Sequence, residues 1–408
     1  MNTSIFAFAS DLWAEGHDAV LDNVQHRAGL DGITVAAVYH EARDIFPHNP
    51  TQRLRYLEPG VCYFRPEAWR YKGLRIQPRV SRFAQEVDVL TALVPAAKRR
   101  NLRVNAWTVY LHSDWVAAPE PDHSERTAFG DPRLTELCPA NPDVRAYVAA
   151  LTKDIARHGI ETIVAESLHF HPLEHGYHHE RYFLQLGACT RFLLGLCYCD
   201  HCVRAAKEAG CDASSVQAFA RREIQRVFDG GEDASTDLSL QEARSLAAGE
   251  LGAYLDARAA TVSTLAAEAA DAAGSEGSSL DFLDASGAIK GYADGRPAGG
   301  PAPEIAWRLG ADLRGIAAAT GALEAIAYAA DPERIRLDVE AYRAELPAGG
   351  SLSAALRPTP PDCDSVANLA AKLRVARELE LERVDFYHYG FAPLTALDRI
   401  GEAISAAS

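Results

Sequence analysis

The side chains best suited to chemistry are concentrated in one stretch of this 408-residue chain, residues 159–202. There an apolar run ends in Glu166, and His169 and His171 follow in alternation. Burial beside an apolar run disfavours a charged carboxylate and raises its pKa. A carboxyl group tuned in this way can donate a proton near neutral pH, so Glu166 is a candidate general acid. The competing interpretation is a structural carboxylate that pairs with an inward-facing arginine.

The same stretch holds five histidines within eleven residues, namely His169, His171, His175, His178 and His179. Imidazole is the commonest transition-metal ligand, so a metal site is one interpretation. However, the sequence has no H-E-x-x-H, and spacing along a loop fixes no coordination geometry. We therefore favour substrate contact or hydrogen bonding within the loop over a catalytic metal.

The stretch closes on a Cys-x-Cys-x-x-Cys formed by Cys197, Cys199 and Cys202. Three neighbouring thiolates can share one metal ion, and tetrahedral Zn²⁺ takes four ligands. Cys138, at the start of a predicted helix, is the candidate for the fourth ligand. The alternative is that these cysteines are reduced and buried as small apolar residues.

Eight short apolar runs are each followed by a helical pattern, which predicts alternating strands and helices. One helix is clearly signalled, because Asn141 is a good N-cap and Pro142 fits the first turn. Alternation of this kind implies a parallel sheet with helices outside it. Eight such units favour a sheet that closes into a barrel over an open sheet. The predicted strands comprise residues 4–9, 33–38, 103–110, 160–165, 279–284, 323–328, 351–356 and 383–389.

The predicted fold class is therefore α/β, a (β/α)8 TIM barrel with long loop insertions after strands 2, 3 and 4. We expect a single barrel domain over residues 1–408, with a mostly helical insertion at about 172–274. The nucleotide-binding patterns G-x-G-x-x-G and G-x-x-x-x-G-K-[ST] are missing from the sequence, so we expect no organic cofactor.

In such a barrel the active site lies at the carboxyl ends of the strands. The residues at the predicted strand ends are carboxylates, histidines and aromatic rings, so we expect these groups to meet at the mouth of the barrel. This mixture suits a polyhydroxylated ligand, because rings stack on sugar C–H surfaces while polar groups bind hydroxyls. The expected substrate-binding residues are Asp11, Trp13, Tyr39, His40, Glu41, His112, Asp114, Trp115, His169, His171, Tyr328, Arg357, Tyr387, His388 and Tyr389.

Hydrolysis of a glycoside requires a second carboxylate beside the general acid. Our choice is Asp284, at the end of the fifth strand and beside a Gly-rich loop. Asp11, Glu41 and Asp114 compete for the same role. A separation of about 5 to 5.5 Å from Glu166 would imply retention at the anomeric carbon, and about 6.5 to 9.5 Å would imply inversion.

Charge and composition limit the partners. A net charge of −15 and a pI near 5.4 argue against nucleic acid and anionic membranes. The first residues lack a basic and apolar export signal, so we expect a cytoplasmic protein. The eight cysteines are then reduced thiols or metal ligands. The expected partner is a small carbohydrate, and a homo-oligomer is left open.

One segment resembles a known family. The run CPANPDVRAYV, a strand that ends in Glu, and then CYCDHC are similar to the barrel domain of glycoside hydrolase family 42, the β-galactosidases. The resemblance covers about residues 136–205. It implies Glu166 as the acid/base, and it implies a structural Zn²⁺ bound by Cys138, Cys197, Cys199 and Cys202.

The chain departs from that family at two positions. Ala165 replaces the Asn that precedes the family's acid/base, and Arg357 stands where the family's nucleophilic Glu ends strand seven. We nevertheless predict a glycoside hydrolase for a small glycoside or oligosaccharide, with Glu166 as general acid/base and Asp284 as nucleophile or base.

Two alternatives remain open from the residues alone. One is a metal-assisted sugar isomerase, epimerase or lyase on the same barrel, which would use His169, His171 and Asp114 together with Glu166. The other is a non-catalytic carbohydrate-binding barrel, in which the carboxylate of Glu166 only accepts hydrogen bonds from hydroxyl groups.

Overall fold

The computed structural model describes residues 1–174, 181–290 and 294–407. Eight strands form its centre: β1 Asn2–Ala7, β2 Gly32–Tyr39, β3 Arg103–Val109, β4 Thr162–Glu166, β5 Ser279–Asp284, β6 Ala322–Ile326, β7 Ser351–Leu356 and β8 Arg383–Phe386. The bounds predicted for β5 and β7 are confirmed, and the other strands differ from prediction by a few residues at their ends. Strands β6 and β8 end earlier than their apolar pattern, because the chain leaves the ladder at the barrel mouth.

The eight strands form a closed parallel sheet. Strand β1 pairs with both β8 and β2, and the remaining neighbours follow chain order. Each strand therefore has a hydrogen-bonded partner on either side, which satisfies the backbone groups of both edges. The (β/α)8 barrel is confirmed, and its closure brings all eight carboxyl ends to one mouth.

Helices surround the barrel and also fill the connections. The α-helices are α1 Ala9–Glu15, α2 His17–Asp22, α3 Arg82–Glu86, α4 Val89–Lys98, α5 Asp114–Ala117, α6 Pro142–Ala156, α7 Ala188–Gly195, α8 Asp200–Glu208, α9 Ala213–Phe228, α10 Leu240–Ser245, α11 Glu250–Gly274, α12 Ser286–Ile289, α13 Leu313–Thr320, α14 Pro332–Glu345, α15 Val366–Glu378 and α16 Leu394–Ala407. Asn141 caps α6 as expected, since its side chain accepts hydrogen bonds from the first amides. Among the described residues, no helix combines the length and apolar character needed to cross a membrane.

The connections after β2, β3 and β4 contain further structure. Short strands lie at Ala42–Ile45, Leu54–Leu57, Val61–Cys62, Arg79–Val80, Ser124–Arg126 and Pro132–Leu137. The same connections hold 3-10 helices at Ala68–Tyr71, Pro121–His123 and Ala247–Gly249. Elsewhere, a π-helical turn covers Asn23–Arg27 after β1, and a 3-10 helix covers Ala302–Leu309 after β5. Helices α7 to α10 and the first turns of α11 pack around their own apolar cluster. The assignment of the whole chain to a single domain stays a prediction.

The inside of the barrel carries a polar layer. Side chains alternate between the two faces of a strand, so a polar residue inside an apolar strand must find partners across the barrel. The Ser4 and Thr34 hydroxyls lie 2.8 Å apart, and Thr34 donates to Asp385 at 2.6 Å. Asn105 donates to Thr34, and Ser353 donates to Asp281. These contacts fix which face of the strands that carry them points inward.

Arg383 is the centre of this layer. Its guanidinium group donates to Asp281 at 2.9 Å, to Glu324 at 2.8 Å and to Asp385, and all four side chains are buried. Burial raises the pKa of Glu324 well above its usual range, and the neighbouring charge of Asp385 adds to that effect. One cation therefore holds three buried carboxyl groups, and burial disfavours the charged form of Glu324.

We predict that Arg383→Met destabilises the protein by about 3 to 5 kcal/mol. The substitution leaves buried carboxyl groups without their cation, which costs more than the packing of the methionine restores. Urea denaturation followed by circular dichroism measures the change. Arg374→Met on the exposed face of α15 is the matched control and should change the free energy of unfolding by less than about 0.5 kcal/mol. Equal stabilities of the two variants would contradict this role of Arg383.

Candidate active site

A cavity of about 220 Å³ opens at the carboxyl ends of the strands. All eight strands, or the loops directly after them, contribute residues to its wall. The lining residues are Phe6, Tyr39, His40, Trp107, Glu166, Ser167, His169, Pro172, Leu283, Ala285, Ala288, Ile289, Ile326, Tyr328, Arg357 and Tyr387. The predicted site residues that meet here are Tyr39, His40, Glu166, His169, Tyr328, Arg357 and Tyr387.

Glu166 is the last residue of β4 and points into this cavity. The indole N–H of Trp107 donates to its Oε2 at 2.5 Å. Burial raises the pKa of the carboxyl group to about 7, and the Trp107 hydrogen bond partly opposes that rise. Directly afterwards Ser167 adopts a left-handed φ of 55°, which turns the chain away from the strand. Glu166 can therefore exchange a proton near neutral pH.

The polar layer inside the barrel sets the inward face of the strands, and this face determines which residues at the strand ends reach the cavity. Asp281 points inward, and side chains alternate along a strand, so Leu283, two residues later, also points inward. The same alternation turns Arg357, four residues after the inward Ser353, toward the cavity. The exception is β2, where Thr34 is inward but so is Tyr39. A register shift between Ala36 and Val38 changes the alternation there and brings the tyrosine to the cavity wall.

Arg357 and the aromatic residues form one side of the wall. Both Nε and Nη2 of Arg357 donate to the buried carboxylate of Asp362, at 2.5 and 3.0 Å. The guanidinium group lies over the ring of Tyr328, 4.7 Å from its centroid. Tyr387 packs against Tyr328, with 5.6 Å between the ring centroids. These contacts hold the side chains of Arg357, Tyr328 and Tyr387 in place in the cavity wall.

Two histidines on the wall have their tautomers set by backbone carbonyl groups. His40 Nδ1 lies 2.7 Å from the oxygen of Glu41, and His169 Nδ1 lies 2.8 Å from the oxygen of Phe170. A carbonyl oxygen only accepts, so each Nδ1 carries the hydrogen. In the neutral ring, Nε2 is then the basic nitrogen.

Asp284 does not reach the cavity. It is fully buried on the outer face of β5, where it accepts hydrogen bonds from Tyr342 of α14 at 2.6 Å and from Ser286 at 3.0 Å. Burial raises its pKa to about 6, and these two hydrogen bonds oppose that rise. The alternation that turns Leu283 inward turns Asp284 outward, so the structure does not support its expected role beside Glu166.

Three predicted residues line a neighbouring pocket of about 660 Å³: Glu41, Asp114 and Trp115. This pocket adjoins the cavity, because Glu41 follows His40 in the chain. Burial and the charge of Glu41 raise the pKa of Asp114 to about 6. The pocket therefore presents carboxyl groups and an indole ring to solvent beside the main cavity.

The remaining predicted residues lie around the mouth without lining the cavity. Asp11 is buried and accepts from the Phe8 amide, and burial raises its pKa to about 7. The Trp13 indole donates to Glu86 on the surface. His388 and Tyr389 are buried, the tyrosine hydroxyl donating to Glu15 at 2.7 Å.

The other predicted histidines form an array beside the cavity. The His112 ring lies 4.6 Å from that of His40 and 5.7 Å from that of His171, measured between centroids. His171 is buried against Glu125. His175, His178 and His179 lie outside the described residues. Within the described ranges, only the four-cysteine group brings three or more metal-binding side chains within reach of one ion.

Several lining residues were not predicted from the sequence, among them Phe6, Trp107, Leu283 and Ile326. Trp107 contributes most, because it hydrogen-bonds to Glu166. The signal that could have found it is the isolated polar residue two positions earlier, Asn105, which marks the inward face of β3.

The four cysteines Cys138, Cys197, Cys199 and Cys202 come together as the spacing predicted. All are buried, and their sulfur atoms lie within 4.8 Å of one another. The Sγ of Cys138 is 3.4 Å from those of Cys199 and Cys202 and 4.0 Å from that of Cys197. Tetrahedral Zn²⁺ with Zn–S bonds of about 2.3 Å separates its sulfurs by about 3.8 Å. The group therefore fits a metal ion.

Comparison with solved structures supports the architecture. Three similar structures are an α-L-fucosidase isoenzyme 2 from Paenibacillus thiaminolyticus (13% identity, TM-score 0.53), a β-galactosidase from Marinomonas ef1 (11%, 0.54) and a β-amylase catalytic domain from Paenibacillus polymyxa (10%, 0.52). They align with 99%, 100% and 98% of this chain and with 49%, 59% and 97% of their own. The chain thus spans about half the fucosidase. No protein-family profile and no curated protein matches the sequence, so the likeness establishes the fold alone.

We predict that the purified protein carries about one equivalent of Zn²⁺ and that Cys202→Ser reduces it to less than about a tenth. Loss of one thiolate opens the tetrahedral site, so the thermal midpoint should fall as well. Metal analysis by mass spectrometry measures the first quantity and calorimetry the second. Cys189→Ser, outside the group, is the control and should retain the metal. A metal-free wild-type protein whose four thiols titrate together would favour reduced, buried cysteines.

Proposed function

We propose that the protein is a glycoside hydrolase in which Glu166 is the general acid/base. The observation that carries the proposal is the position of this carboxyl group, at the end of β4 in the barrel cavity with a pKa of about 7. The similar barrels are named fucosidase, β-galactosidase and β-amylase, which adds support at the level of the fold.

Four side chains on the cavity wall have a function in this proposal. Glu166 protonates the oxygen of the leaving group and then takes a proton from the attacking water. The Trp107 N–H fixes the carboxyl group and stabilises its charged form after proton transfer. The rings of Tyr328 and Tyr387 stack on sugar C–H surfaces. The cavity is smaller than the about 300 to 1,000 Å³ of a typical ligand pocket, so we propose that it holds one sugar ring.

Kinship with glycoside hydrolase family 42 is part of the proposal and has specific support. The four cysteines meet in a geometry that fits Zn²⁺, and Glu166 occupies the end of β4. In this interpretation Zn²⁺ is structural and fixes the segment before α6 to the start of α8. Where that family has its nucleophilic Glu, at the end of strand seven, this chain has Arg357, which pairs with Asp362.

The alternatives differ from the proposal in what they require. A metal-assisted isomerase, epimerase or lyase needs a metal beyond the cysteine group, and its activity would be lost on chelation. A non-catalytic carbohydrate-binding barrel would be stabilised thermally by a sugar without any turnover across a panel of aryl glycosides.

We predict that Glu166→Gln lowers kcat/KM for an aryl glycoside with a poor leaving group by about 100-fold or more, because the amide cannot donate the proton. Initial rates across a panel of aryl glycosides measure this. Glu161→Gln, exposed just before the opposite end of β4, is the matched control and should retain wild-type rates. Wild-type turnover by the Glu166 variant would remove this residue from the mechanism.

The pH dependence gives a second, independent prediction. A general acid must be protonated, so kcat/KM should fall as the pH rises through about 7. The Trp107 hydrogen bond favours the charged form of Glu166, so its removal in Trp107→Phe should raise the pKa of this group. The fall of kcat/KM at alkaline pH, the alkaline limb of the pH profile, should then move upward by about one pH unit. Trp69→Phe, on the surface, should leave the limb in place. A downward movement in Trp107→Phe would contradict the assignment.

A further inference from the structure

The pocket of about 660 Å³ beside the active-site cavity, which we call the outer pocket, opens between the loops that follow β2, β3 and β4. Its wall meets the cavity wall at two points of the chain. His40 lines the cavity and the next residue, Glu41, lines the outer pocket; Pro172 and Leu173 are divided in the same way. Arg133, in the wall of the outer pocket, also donates to the Pro172 carbonyl oxygen at 2.9 Å. The two spaces therefore share a boundary.

Size and position give the two spaces different roles. The cavity of about 220 Å³ accommodates one ring in the proposed function, whereas the outer pocket falls within the about 300 to 1,000 Å³ of a typical ligand pocket. A general acid must contact the oxygen of the leaving group. Glu166 ends β4, and Trp107 of β3 donates to its carboxyl group. The leaving group therefore extends from the cavity on the side of β3 and β4, where the outer pocket opens.

The wall of the outer pocket combines an indole ring with apolar side chains and carboxyl groups. Burial and the charge of the nearby Glu41 raise the pKa of Asp114 to about 6, so this carboxyl group is mainly ionised at neutral pH. A carboxylate only accepts hydrogen bonds, and sugar hydroxyl groups are donors that match it. The indole ring belongs to Trp115, and the apolar residues are Pro59, Ala118, Pro119, Leu134 and Leu173. This combination suits a ring that has both C–H surfaces and hydroxyl groups.

Trp115 is held in place although it is 42% exposed. The guanidinium group of Arg79 lies over its ring, 4.0 Å from the centroid. Its backbone packs against Gly60, which has a left-handed φ of 55°. A Cβ atom at Gly60 would lie 3.1 Å from the Cβ of Trp115 and 2.6 Å from the Oγ of Ser113, so the close approach requires glycine. A ring fixed in this way loses little conformational entropy when a ligand stacks on it.

From this arrangement we infer that the outer pocket binds the sugar residue that leaves, so that the substrate is an oligosaccharide of at least two residues. The inference rests on the proposed hydrolase function and names its substrate class. The leaving sugar stacks on the indole ring of Trp115, and its hydroxyl groups donate to the carboxylates of Asp114 and Glu41. The glycosidic oxygen then lies at the boundary of the two spaces, where Glu166 protonates it.

The test compares a disaccharide with a substrate whose leaving group has no ring. The disaccharide is the one that the wild type cleaves fastest in a panel, and the second substrate is the glycosyl fluoride of its non-reducing sugar with the same anomeric configuration. We expect Trp115→Ala to lower kcat/KM for the disaccharide at least about ten-fold more than for the fluoride, because only the disaccharide loses a stacking partner. Trp115→Phe should recover part of this difference.

Trp69→Ala is the matched control. Trp69 is 66% exposed, and its ring also lies beneath an arginine, with Arg70 at 4.7 Å from the centroid. This variant should leave kcat/KM for both substrates unchanged.

Binding provides a readout that does not depend on turnover. In Glu166→Gln, calorimetric titration should show that the disaccharide binds at least about ten-fold more tightly than its non-reducing monosaccharide, since two rings are held instead of one. Adding Trp115→Ala to this variant should remove most of the difference.

Two results would overturn the inference while the hydrolase proposal stands. One is an equal effect of Trp115→Ala on the disaccharide and the fluoride, and the other is an effect that appears only with a trisaccharide, which would place the extra ring on the other side of the bond. Absence of turnover on every glycoside would instead overturn the hydrolase proposal. The titration, made with the disaccharide that binds most tightly, would then decide the pocket: affinity that does not depend on Trp115 would overturn sugar binding there.

Discussion

The buried ion cluster around Arg383 constrains the whole barrel. A guanidinium group held in the interior requires carboxylates from β5, β6 and β8 at fixed positions, because a buried charge without partners costs several kcal/mol. The hydroxyl and amide groups of Ser4, Thr34 and Asn105 extend the network to β1, β2 and β3. A slip of one residue in any of these strands would turn its polar group toward the apolar helices. The cluster thereby sets the inward face of the strands.

The inward face of each strand in turn determines which side chains reach the cavity at the mouth of the barrel. Beyond the polar layer, the same alternation directs Leu283, Arg357 and Tyr387 into the cavity and turns Asp284 away from it. Glu166 is thus left in an aromatic and apolar cavity, and burial accounts for its pKa of about 7. A group with this pKa has both protonation states available at neutral pH, which is the property that acid/base chemistry requires.

The loop after β4 is held from two sides. Arg133 donates to the carbonyl oxygens of His171 and Pro172, at 2.8 and 2.9 Å, and also pairs with the buried Glu125. Further along, the four cysteines bring the segment before α6 close to the start of α8. Pro172 lines the cavity, so these contacts link the helical segment after β4 to the shape of the proposed site.

The sequence by itself determined the eight strand and helix units, the cysteine group and the position of Glu166 at the end of β4. These features are local: apolar periodicity, capping residues such as Asn141 and close cysteine spacing depend on few distant contacts. It did not determine the inward face of each strand. Thr34 and Tyr39 lie on opposite faces by simple alternation, yet a register shift in β2 brings both inward. Asp284 lies at the mouth in the sequence and on the outer face in space. Only the closed barrel decides these positions, because the partners of a buried polar group come from strands far apart in the chain.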